Sequence, residues 1–279
     1  MQAQKPIAEV FGEPVLKIPL DYKWIEAIET DQENNIYLLS PSRHRIYKFY
    51  SNTAYDSVQT IGGKGIGNEG FNHPSRIVVP NRQSVFLLDE LNRRIVQLNT
   101  NLKVTQETNF LTLRNTIQDS DLGDLLPVAF TVGPTGELFL LNQEDLKVWK
   151  FTFDGRLERT FAGLDYGEGS VVEPCDVVIN RESDVFVIDC EDQSVLVYDL
   201  YGTFQYRLAV PAPFFWESAK VFARTVIYFD QSQLFFYNTF THDAGPFLET
   251  KEDIVDLDLN GEYMFVLFEN QINLYRIKK

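Results

Sequence analysis

Histidine and carboxylate side chains are the residues of this sequence best suited to metal-assisted chemistry. The chain has only three histidines, His44, His73 and His242, which lie far apart in the sequence. A zinc site needs three or four converging ligands, and nothing in the spacing brings a third histidine to His44 and His73. We therefore predict no zinc site. A calcium site stays open, because calcium takes oxygen ligands and the chain has 40 aspartate and glutamate residues.

The short motifs of nucleophilic catalysis and phosphate binding are missing from the sequence. There is no Gly-x-Ser-x-Gly motif, and neither cysteine has a histidine in a catalytic context. The glycine-rich stretch at residues 62–67 lacks a Gly-Lys-Ser/Thr ending and precedes no helical pattern, so we interpret it as a turn. We predict that the protein is not an enzyme and binds no cofactor.

The two cysteines, Cys175 and Cys190, lie in strand-like segments that are joined by a short polar turn. If Asn180 lies opposite Val185, the antiparallel register puts Cys175 opposite Cys190. A disulfide then requires Cα atoms roughly 4.4 to 6.8 Å apart, and it would favour an oxidising compartment. The alternative, two buried thiols that pack as small apolar side chains, stays open.

Six segments of the chain share one pattern of strands, and the fold built from these segments must position the histidines, carboxylates and cysteines. Each segment has an apolar strand, a polar turn, a second apolar strand that ends in a polar or acidic residue, and a third strand. The second strands end 39 to 53 residues apart, at Ser40, Asp89, Asn142, Asp189, Asp230 and Glu269. A period of about 40 to 50 residues with several strands per unit is typical of β-propeller blades.

The second and fourth segments resemble NHL repeats. The resemblance rests on residues 62–67, Phe71, Pro74, 77–79, 85–89, 92–95 and Leu98. The other segments match more loosely, but together the six cover nearly the whole chain. The resemblance implies an all-β fold, namely a six-bladed β-propeller with four strands per blade.

The two ends of the chain are expected to complete this architecture. The last segment stops at Ile277 after its third strand, and an alternating segment at residues 14–20 precedes the first one. We predict that residues 14–20 form the missing outer strand of the last blade, since this closure protects an exposed edge. The chain is then a single propeller domain over residues 1–279, with a flexible tail at residues 1–12.

Two joints between segments depart from the repeat and are candidates for binding a partner. Residues 113–126 form a long acidic insertion, and residues 211–216 form a proline-stiffened aromatic run. Aromatic side chains on a stiff loop are typical interface anchors, although packing between two blades is the alternative. The candidate partner-binding residues are Asp119, Asp121, Asp124, Phe214, Phe215 and Trp216.

The ends of the second strands add further acids beside these joints. In a propeller, the loops between second and third strands share a face with the loops between blades. This face would collect Asp89, Asp189, Asp192 and Asp230 among other acids, and we predict that it is strongly negative. Single acids of this kind are also ordinary caps of turns.

Charged residues on the innermost strands would line the central channel. The candidates are Glu26, Arg76 and Asp176, with Lys220 and Asp256 as further possibilities. Such residues either grip a small ligand or pair with one another in a water-filled pore, and both interpretations stay open.

The composition restricts the partners of the protein. The formal net charge of −15 repels nucleic acids and anionic membrane surfaces, so we predict no nucleic-acid partner. No apolar window is long enough to span a bilayer, so we predict no direct membrane insertion. The polar start at residues 1–6 is consistent with a protein whose signal peptide has been removed.

Residues 61–65 and 195–204 are similar to stretches of exported propeller proteins of Bacteroidota. Some of those are accessory subunits of outer-membrane machines, including a plug-type subunit of the type 9 secretion translocon. The resemblance implies a non-catalytic scaffold in the periplasm or elsewhere outside the cytoplasm, with a protein or a membrane-protein complex as its partner. The alternatives are a metal-assisted lyase or lactonase that uses the channel, as in related six-bladed propellers, and a sensor of a small ligand or glycan.

Overall fold

The computed structural model describes residues 13–117, 122–209 and 214–277. Within these ranges the chain forms six four-stranded antiparallel sheets, arranged as a six-bladed β-propeller. The all-β fold class and the six blades predicted from the repeat are therefore confirmed. The predicted flexible tail at residues 1–12 lies outside the described residues.

Blades 1, 5 and 6 come from the two ends of the chain. Strand β1 is Leu16–Pro19. Blade 1 consists of β2 (Ala27–Thr30), β3 (Ile36–Ser40), β4 (Arg45–Phe49) and β5 (Val58–Gly62). Strands β6 to β17 belong to blades 2, 3 and 4. Blade 5 consists of β18 (Ser218–Phe222), β19 (Thr225–Phe229), β20 (Gln233–Asn238) and β21 (Ala244–Glu249). Blade 6 contains β22 (Ile254–Asn260), β23 (Tyr263–Phe268) and β24 (Gln271–Arg276).

Blades 2, 3 and 4 follow one another in the middle of the chain. Blade 2 consists of β6 (Pro74–Val78), β7 (Ser84–Asp89), β8 (Arg94–Asn99) and β9 (Val104–Asn109). Blade 3 consists of β10 (Pro127–Val132), β11 (Leu138–Asn142), β12 (Lys147–Phe151) and β13 (Leu157–Ala162). Blade 4 consists of β14 (Pro174–Ile179), β15 (Val185–Asp189), β16 (Ser194–Tyr198) and β17 (Phe204–Ala209). A short α-helix, α1 (Phe110–Asn115), precedes blade 3.

The predicted closure of the last blade is confirmed. Strand β1 pairs antiparallel with β24, with Leu16 opposite Leu274 and Pro19 opposite Gln271. Blade 6 thus takes its outer strand from the N-terminal part of the chain, and the outer edge of β24 is covered by backbone hydrogen bonds.

The apolar second strands form the core of each unit, together with neighbouring blades of the same unit. Every residue of β3 and of β15 is buried, as expected for strands without a polar face. Ile28, Leu38 and Phe265 pack together from blades 1 and 6. In the middle of the chain, Phe139 and Val187 share a cluster between blades 3 and 4.

A one-residue bulge recurs near the start of the first strand. In blades 2, 3 and 4 the proline that opens the strand pairs with the last residue of the second strand, and the residue after the proline is left out of the register. Proline fits here because the start of a strand or a bulge needs no ladder N–H. Blade 6 has the same bulge, between Ile254 and Asp256.

The described residues fall into two compact units. The terminal unit lies within residues 1–61 and 212–279 and holds blades 1, 5 and 6; the middle unit lies within residues 62–211 and holds blades 2, 3 and 4. The prediction of a single domain over residues 1–279 stays a prediction.

Candidate functional site

The polar residues that end the second strands of blades 2, 3 and 4 hold the neighbouring loops in place. Asp89, Asn142 and Asp189 are completely buried. Their side-chain oxygens accept hydrogen bonds from the loop before the first strand of the same blade: Asn72 N to Asp89 (2.7 Å), Leu126 N to Asn142 (2.6 Å) and Val172 N to Asp189 (2.6 Å). The prediction that Asp89 and Asp189 contribute to a negative surface is therefore wrong, because the folded loops need these acceptors.

A buried arginine fixes the loop that leads into blade 2. Arg94 forms an ion pair with Asp89 (2.8 Å) and donates hydrogen bonds to the backbone carbonyls of Gly67 (3.0 Å) and Gly70 (2.7 Å). Asn92 adds a bond from Nδ2 to the carbonyl of Gly65 (2.9 Å). The glycine-rich stretch is thus a stiff turn between blades, as interpreted from the sequence.

The acidic insertion is described only in part. Asp119 and Asp121 lie outside the described residues, whereas Asp124 is exposed. Helix α1 begins at the cap residue Asn109 and ends within the insertion. Arg114 then holds the insertion against the helix through a bond from Nε to the carbonyl of Gly123 (2.7 Å). The role of the three acids in binding stays a prediction.

The aromatic run is divided between surface and core. Phe215 is 66% exposed and Phe214 is half-buried, but Trp216 is only 1% exposed and packs at 5.1 Å between ring centroids against Tyr228. The prediction that Trp216 is a surface anchor is therefore wrong, because the residue packs against the second strand of blade 5. The alternative of packing between two blades stays a prediction. Pro211 and Pro213 lie outside the described residues.

The terminal unit holds a charged cluster on its first strands. Lys220 of β18 lies 3.1 Å from Asp256 of β22 and 4.0 Å from Glu29 of β2. The Asp256 carboxylate also accepts a hydrogen bond from the backbone N–H of Ile28 (3.0 Å). These charged groups therefore join the first strands of blades 5, 6 and 1. Glu26, the predicted channel residue of this unit, is exposed just before β2, and its backbone N–H bonds to Leu39.

Alternate residues of β22 extend this cluster along β2. Asp258 accepts hydrogen bonds from the backbone N–H (2.8 Å) and the hydroxyl of Thr30, and Asn260 donates one to Asn34 (2.9 Å). Asp256, Asp258 and Asn260 share one face because side chains of a strand alternate. Asp256 and Asp258 accept hydrogen bonds from backbone N–H groups on the edge of β2 that pairs with no strand in the described part of the chain. The sequence reasoning missed Asp258, although the Asp-x-Asp-x-Asn spacing in the last blade was a visible signal.

Replacing Asp258 with asparagine should change how stability depends on pH. Burial raises the pKa of Asp258 to about 6, although the bonds from Thr30 and the charge of Lys220 oppose this rise. Between about pH 4 and pH 6 the folded protein thus binds a proton that the unfolded chain has lost. The free energy of unfolding therefore falls as the pH rises through this range, and it stays at the lower value above pH 6. Asp258→Asn should therefore be more stable than the wild type at pH 8, by roughly 1 to 3 kcal/mol.

Urea unfolding at several pH values between 4 and 8 measures this effect. The exposed acid Asp253, replaced with asparagine, is the matched control and should follow the wild-type profile. Parallel pH profiles for the wild type and Asp258→Asn would show that Asp258 titrates normally.

The middle unit places Arg76 and the predicted disulfide side by side. Arg76 of β6 donates a hydrogen bond from a terminal guanidinium nitrogen to the backbone carbonyl of Cys175 on β14 (3.3 Å). Asp176, next to Cys175, accepts a hydrogen bond from the backbone N–H of Val177 (2.8 Å). Among the described residues, the buried Oγ of Ser75 and Nε of Arg76 have no hydrogen-bond partner. A buried polar atom without a partner is a place where a water molecule or a polar ligand group can bind.

Cys175 and Cys190 form a disulfide with Cα atoms 5.8 Å apart, within the predicted range. The predicted register is wrong by one residue, because Val185 lies opposite Ile179 rather than Asn180. Cys175 is the bulged residue of β14, and Cys190 follows the end of β15. The disulfide therefore forms between a bulged residue and a turn residue, and not between two residues that face each other in the register.

The histidines lie in turns rather than together. His73 is 3.4 Å from Glu90, and His242 Nδ1 is 2.8 Å from the hydroxyl of Tyr237. His44 occupies the turn between β3 and β4 with a positive φ of 57°. Within the described ranges, no group of three or more histidine, cysteine or carboxylate residues is arranged to hold a metal ion. No helix in those ranges is both long and apolar enough to cross a membrane.

Comparison with known proteins agrees with the propeller fold. No protein-family model and no curated protein matches the sequence. A Bacteroides fragilis protein named as exported has a TM-score of 0.65 and 12% identity, over 95% of both chains. A catalytically inactive variant of virginiamycin B lyase from Staphylococcus aureus, with quinupristin, has a TM-score of 0.61 and 9% identity, over 94% of this chain and 99% of the lyase.

A third structure, the WD40 domain of Neurospora crassa Pan2, has a TM-score of 0.58 and 9% identity, over 92% of this chain and 90% of that domain. At such low identities these likenesses establish the shared fold alone. The resemblance to NHL repeats and to translocon plug subunits therefore stays an interpretation of the sequence. Function must be argued from the residues themselves.

Proposed function

We propose that this chain is a non-catalytic β-propeller that binds another protein. The observation that carries the proposal is the presence of large apolar side chains held outward on loops between blades. Phe215 is 66% exposed and Ile66 is 85% exposed, although the same loops bury neighbouring aromatics. Folding gains nothing from an exposed isoleucine at a loop tip, whereas a partner that covers it gains about 25 cal/mol per Å² of apolar surface.

The charged residues of the first strands support a scaffold rather than a catalyst. Lys220 pairs with Asp256, and Asp256 and Asp258 accept hydrogen bonds from the backbone of β2. Arg76 donates a hydrogen bond to a backbone carbonyl of β14. Groups used in this way hold blades together. A catalytic group instead needs to reach a substrate.

We further propose that the protein works outside the cytoplasm as an accessory subunit of an outer-membrane or secretion assembly. The Cys175–Cys190 disulfide supports an oxidising compartment. The exported Bacteroides fragilis neighbour supports the same location. Fractionation tests this: the protein should be found in the periplasm or the envelope with both thiols protected from alkylation. Recovery in the cytoplasm with two alkylated cysteines would contradict it.

The binding function is tested in cells that encode the protein, by chemical cross-linking of the tagged chain followed by mass spectrometry. We expect cross-links from the loops between blades to one defined protein or membrane-protein complex. Phe215→Ser should reduce the amount of this partner that is recovered, because the variant removes an exposed apolar side chain from a loop between blades. Trp216→Ala is unsuitable as a probe because it removes a buried side chain. A chain that stays monomeric and yields no cross-link to another protein would contradict the proposal.

A metal-assisted lyase or lactonase is the second candidate, favoured by the fold shared with virginiamycin B lyase. We expect elemental analysis of the purified protein to give no stoichiometric zinc, and chromatography after incubation with quinupristin to show no new product. The lactonase arm uses a panel of simple lactones. Stoichiometric zinc that His73→Ala abolishes, or turnover of quinupristin or of a lactone, would favour an enzymatic function over the scaffold.

A sensor of a small ligand or glycan is the third candidate, favoured by the unsatisfied atoms of Ser75 and Arg76. A glycan array and a metabolite thermal-shift screen test it. A ligand whose stabilising effect disappears in Arg76→Lys would support this candidate over the scaffold.

A further inference from the structure

Four exposed aliphatic side chains lie on three of the loops at one end of the blades of the middle unit. Loops before a first strand and loops between second and third strands emerge at the same end of an antiparallel blade. We call the loops at residues 63–73, 90–93 and 163–173 the upper loops. They carry Ile66 (85% exposed), Leu91 (62%), Leu164 (62%) and Val172 (53%).

Ile66 and Leu91 lie on two loops that are bonded to each other. The backbone N–H of Leu91 donates to the carbonyl of Asn72 (3.1 Å), and Asn92 donates to Gly65 (2.9 Å). The two apolar side chains therefore belong to one continuous surface of blade 2. The bond from Arg76 to Cys175 joins the first strands of blades 2 and 4 just below the loops that carry Ile66 and Val172.

The upper loops are stiff. In blade 2, Arg94 binds two loop carbonyls, and the completely buried Phe71 anchors the loop end. In blade 4, Arg207 donates to the carbonyl of Ser170, and the buried hydroxyl of Tyr198 donates to the carbonyl of Gly169 (2.6 Å). Side chains presented by a loop that is already ordered lose little conformational entropy when a partner binds.

The upper loops also carry more acidic than basic side chains. The upper loops carry five carboxylates with exposed or half-exposed side chains, namely Glu69, Glu90, Asp165, Glu168 and Glu173, against the exposed cations Lys64 and Arg93. The surface therefore attracts basic groups. It repels a second copy of this chain, which carries a net charge of −15, and it repels an anionic membrane.

We infer that the upper loops of the middle unit bind a polypeptide segment that carries both basic and large apolar side chains. Ile66, Leu91 and Leu164 are the apolar anchors, and the carboxylates of these loops select the basic residues. This inference rests on the proposed function and specifies where a protein partner binds and what its binding segment looks like. This site includes the loop of Ile66 and lies on loops other than the one at residues 211–216.

Phage-displayed random peptides selected on the intact chain provide the probe. We expect the enriched peptides to combine lysine or arginine with leucine, isoleucine, phenylalanine or tryptophan. For the most enriched synthetic peptide, the double variant Ile66→Ser/Leu91→Ser should raise Kd about tenfold or more, as for hot-spot residues. Binding should also weaken as salt is added.

Phe153→Ser is the matched control, because Phe153 is 67% exposed in the same unit but lies on a loop between third and fourth strands. Its Kd should stay within about twofold of the wild type, since a surface substitution away from the site changes little. All variants should retain the circular dichroism spectrum of the wild type. Equal losses in both variants, or none in Ile66→Ser/Leu91→Ser, would overturn the inference.

The failure of this inference can be separated from that of the proposed function. Cross-links in cells that join a partner only to other loops would overturn the site and leave the scaffold function intact. Self-association through Ile66, seen by light scattering and lost in the double variant, would replace the basic segment with a second copy and would also overturn the inference.

Discussion

Replacing Cys175 and Cys190 together with alanine is expected to lower the free energy of unfolding by about 3 kcal/mol. The disulfide joins residues that are 15 apart in sequence, and closing a loop of this size restricts the unfolded chain by roughly that amount. The bond also ties the bulge of β14 to the turn after β15, where Gln193 donates to the carbonyl of Cys190 (2.6 Å). Urea unfolding of both proteins under oxidising conditions measures the difference.

A reducing agent provides the control for this prediction. It should destabilise the wild type to about the level of the double variant and leave the double variant unchanged. A wild type that is equally stable with and without the reductant, and whose thiols react with an alkylating agent before unfolding, would show that the cysteines are two separate thiols.

Replacing Arg94 with alanine should cost about 3 to 5 kcal/mol of stability, the usual effect of removing one partner of a buried ion pair. Asp89 has no exposure and would lose the guanidinium that lies 2.8 Å away. The carbonyls of Gly67 and Gly70 would lose a donor at the same time. The loop that presents Ile66 should then loosen, which hydrogen exchange at residues 63–71 would show.

Two variants serve as controls for the Arg94 prediction. Arg156→Ala removes an exposed arginine of the same unit, and Glu107→Gln removes the partly exposed acid that lies 3.0 Å from Arg94. Each should cost less than about 1 kcal/mol. If Arg94→Ala costs no more than Arg156→Ala, the ion pair does not stabilise the blade and the loop is ordered by its backbone alone.

The sequence predicted the blades because their signals are local. The second strands are continuous apolar runs that end in a polar residue, and the run from Val85 to Asp89 shows both features within one strand. Their period of about 40 to 50 residues then implied a propeller. The outer strand at residues 14–20 followed from counting strands, since the last segment had three and a blade needs four.

The register around the disulfide was beyond sequence reasoning. The hairpin of β14 and β15 pairs Ile179 with Val185, one residue away from the predicted arrangement. A bulge then shifts the start of β14. Bulges depend on how the opening Pro174 meets the buried Asp189, which is a contact between the two ends of the hairpin rather than a local preference.

Composition, strand periodicity and the strand count are properties of the sequence by itself, and they determined an acidic six-bladed propeller with a closed last blade. Only the tertiary structure decided which polar and aromatic residues face solvent. Trp216 is buried against Tyr228, and Asp258 bonds to Thr30, 228 positions away. The physical reason is that burial is set by strands which the fold brings together: β19 of the following blade for Trp216, and β2 of the neighbouring blade for Asp258. The contacts that bury a side chain or shift its pKa are therefore made by residues whose proximity no local pattern records.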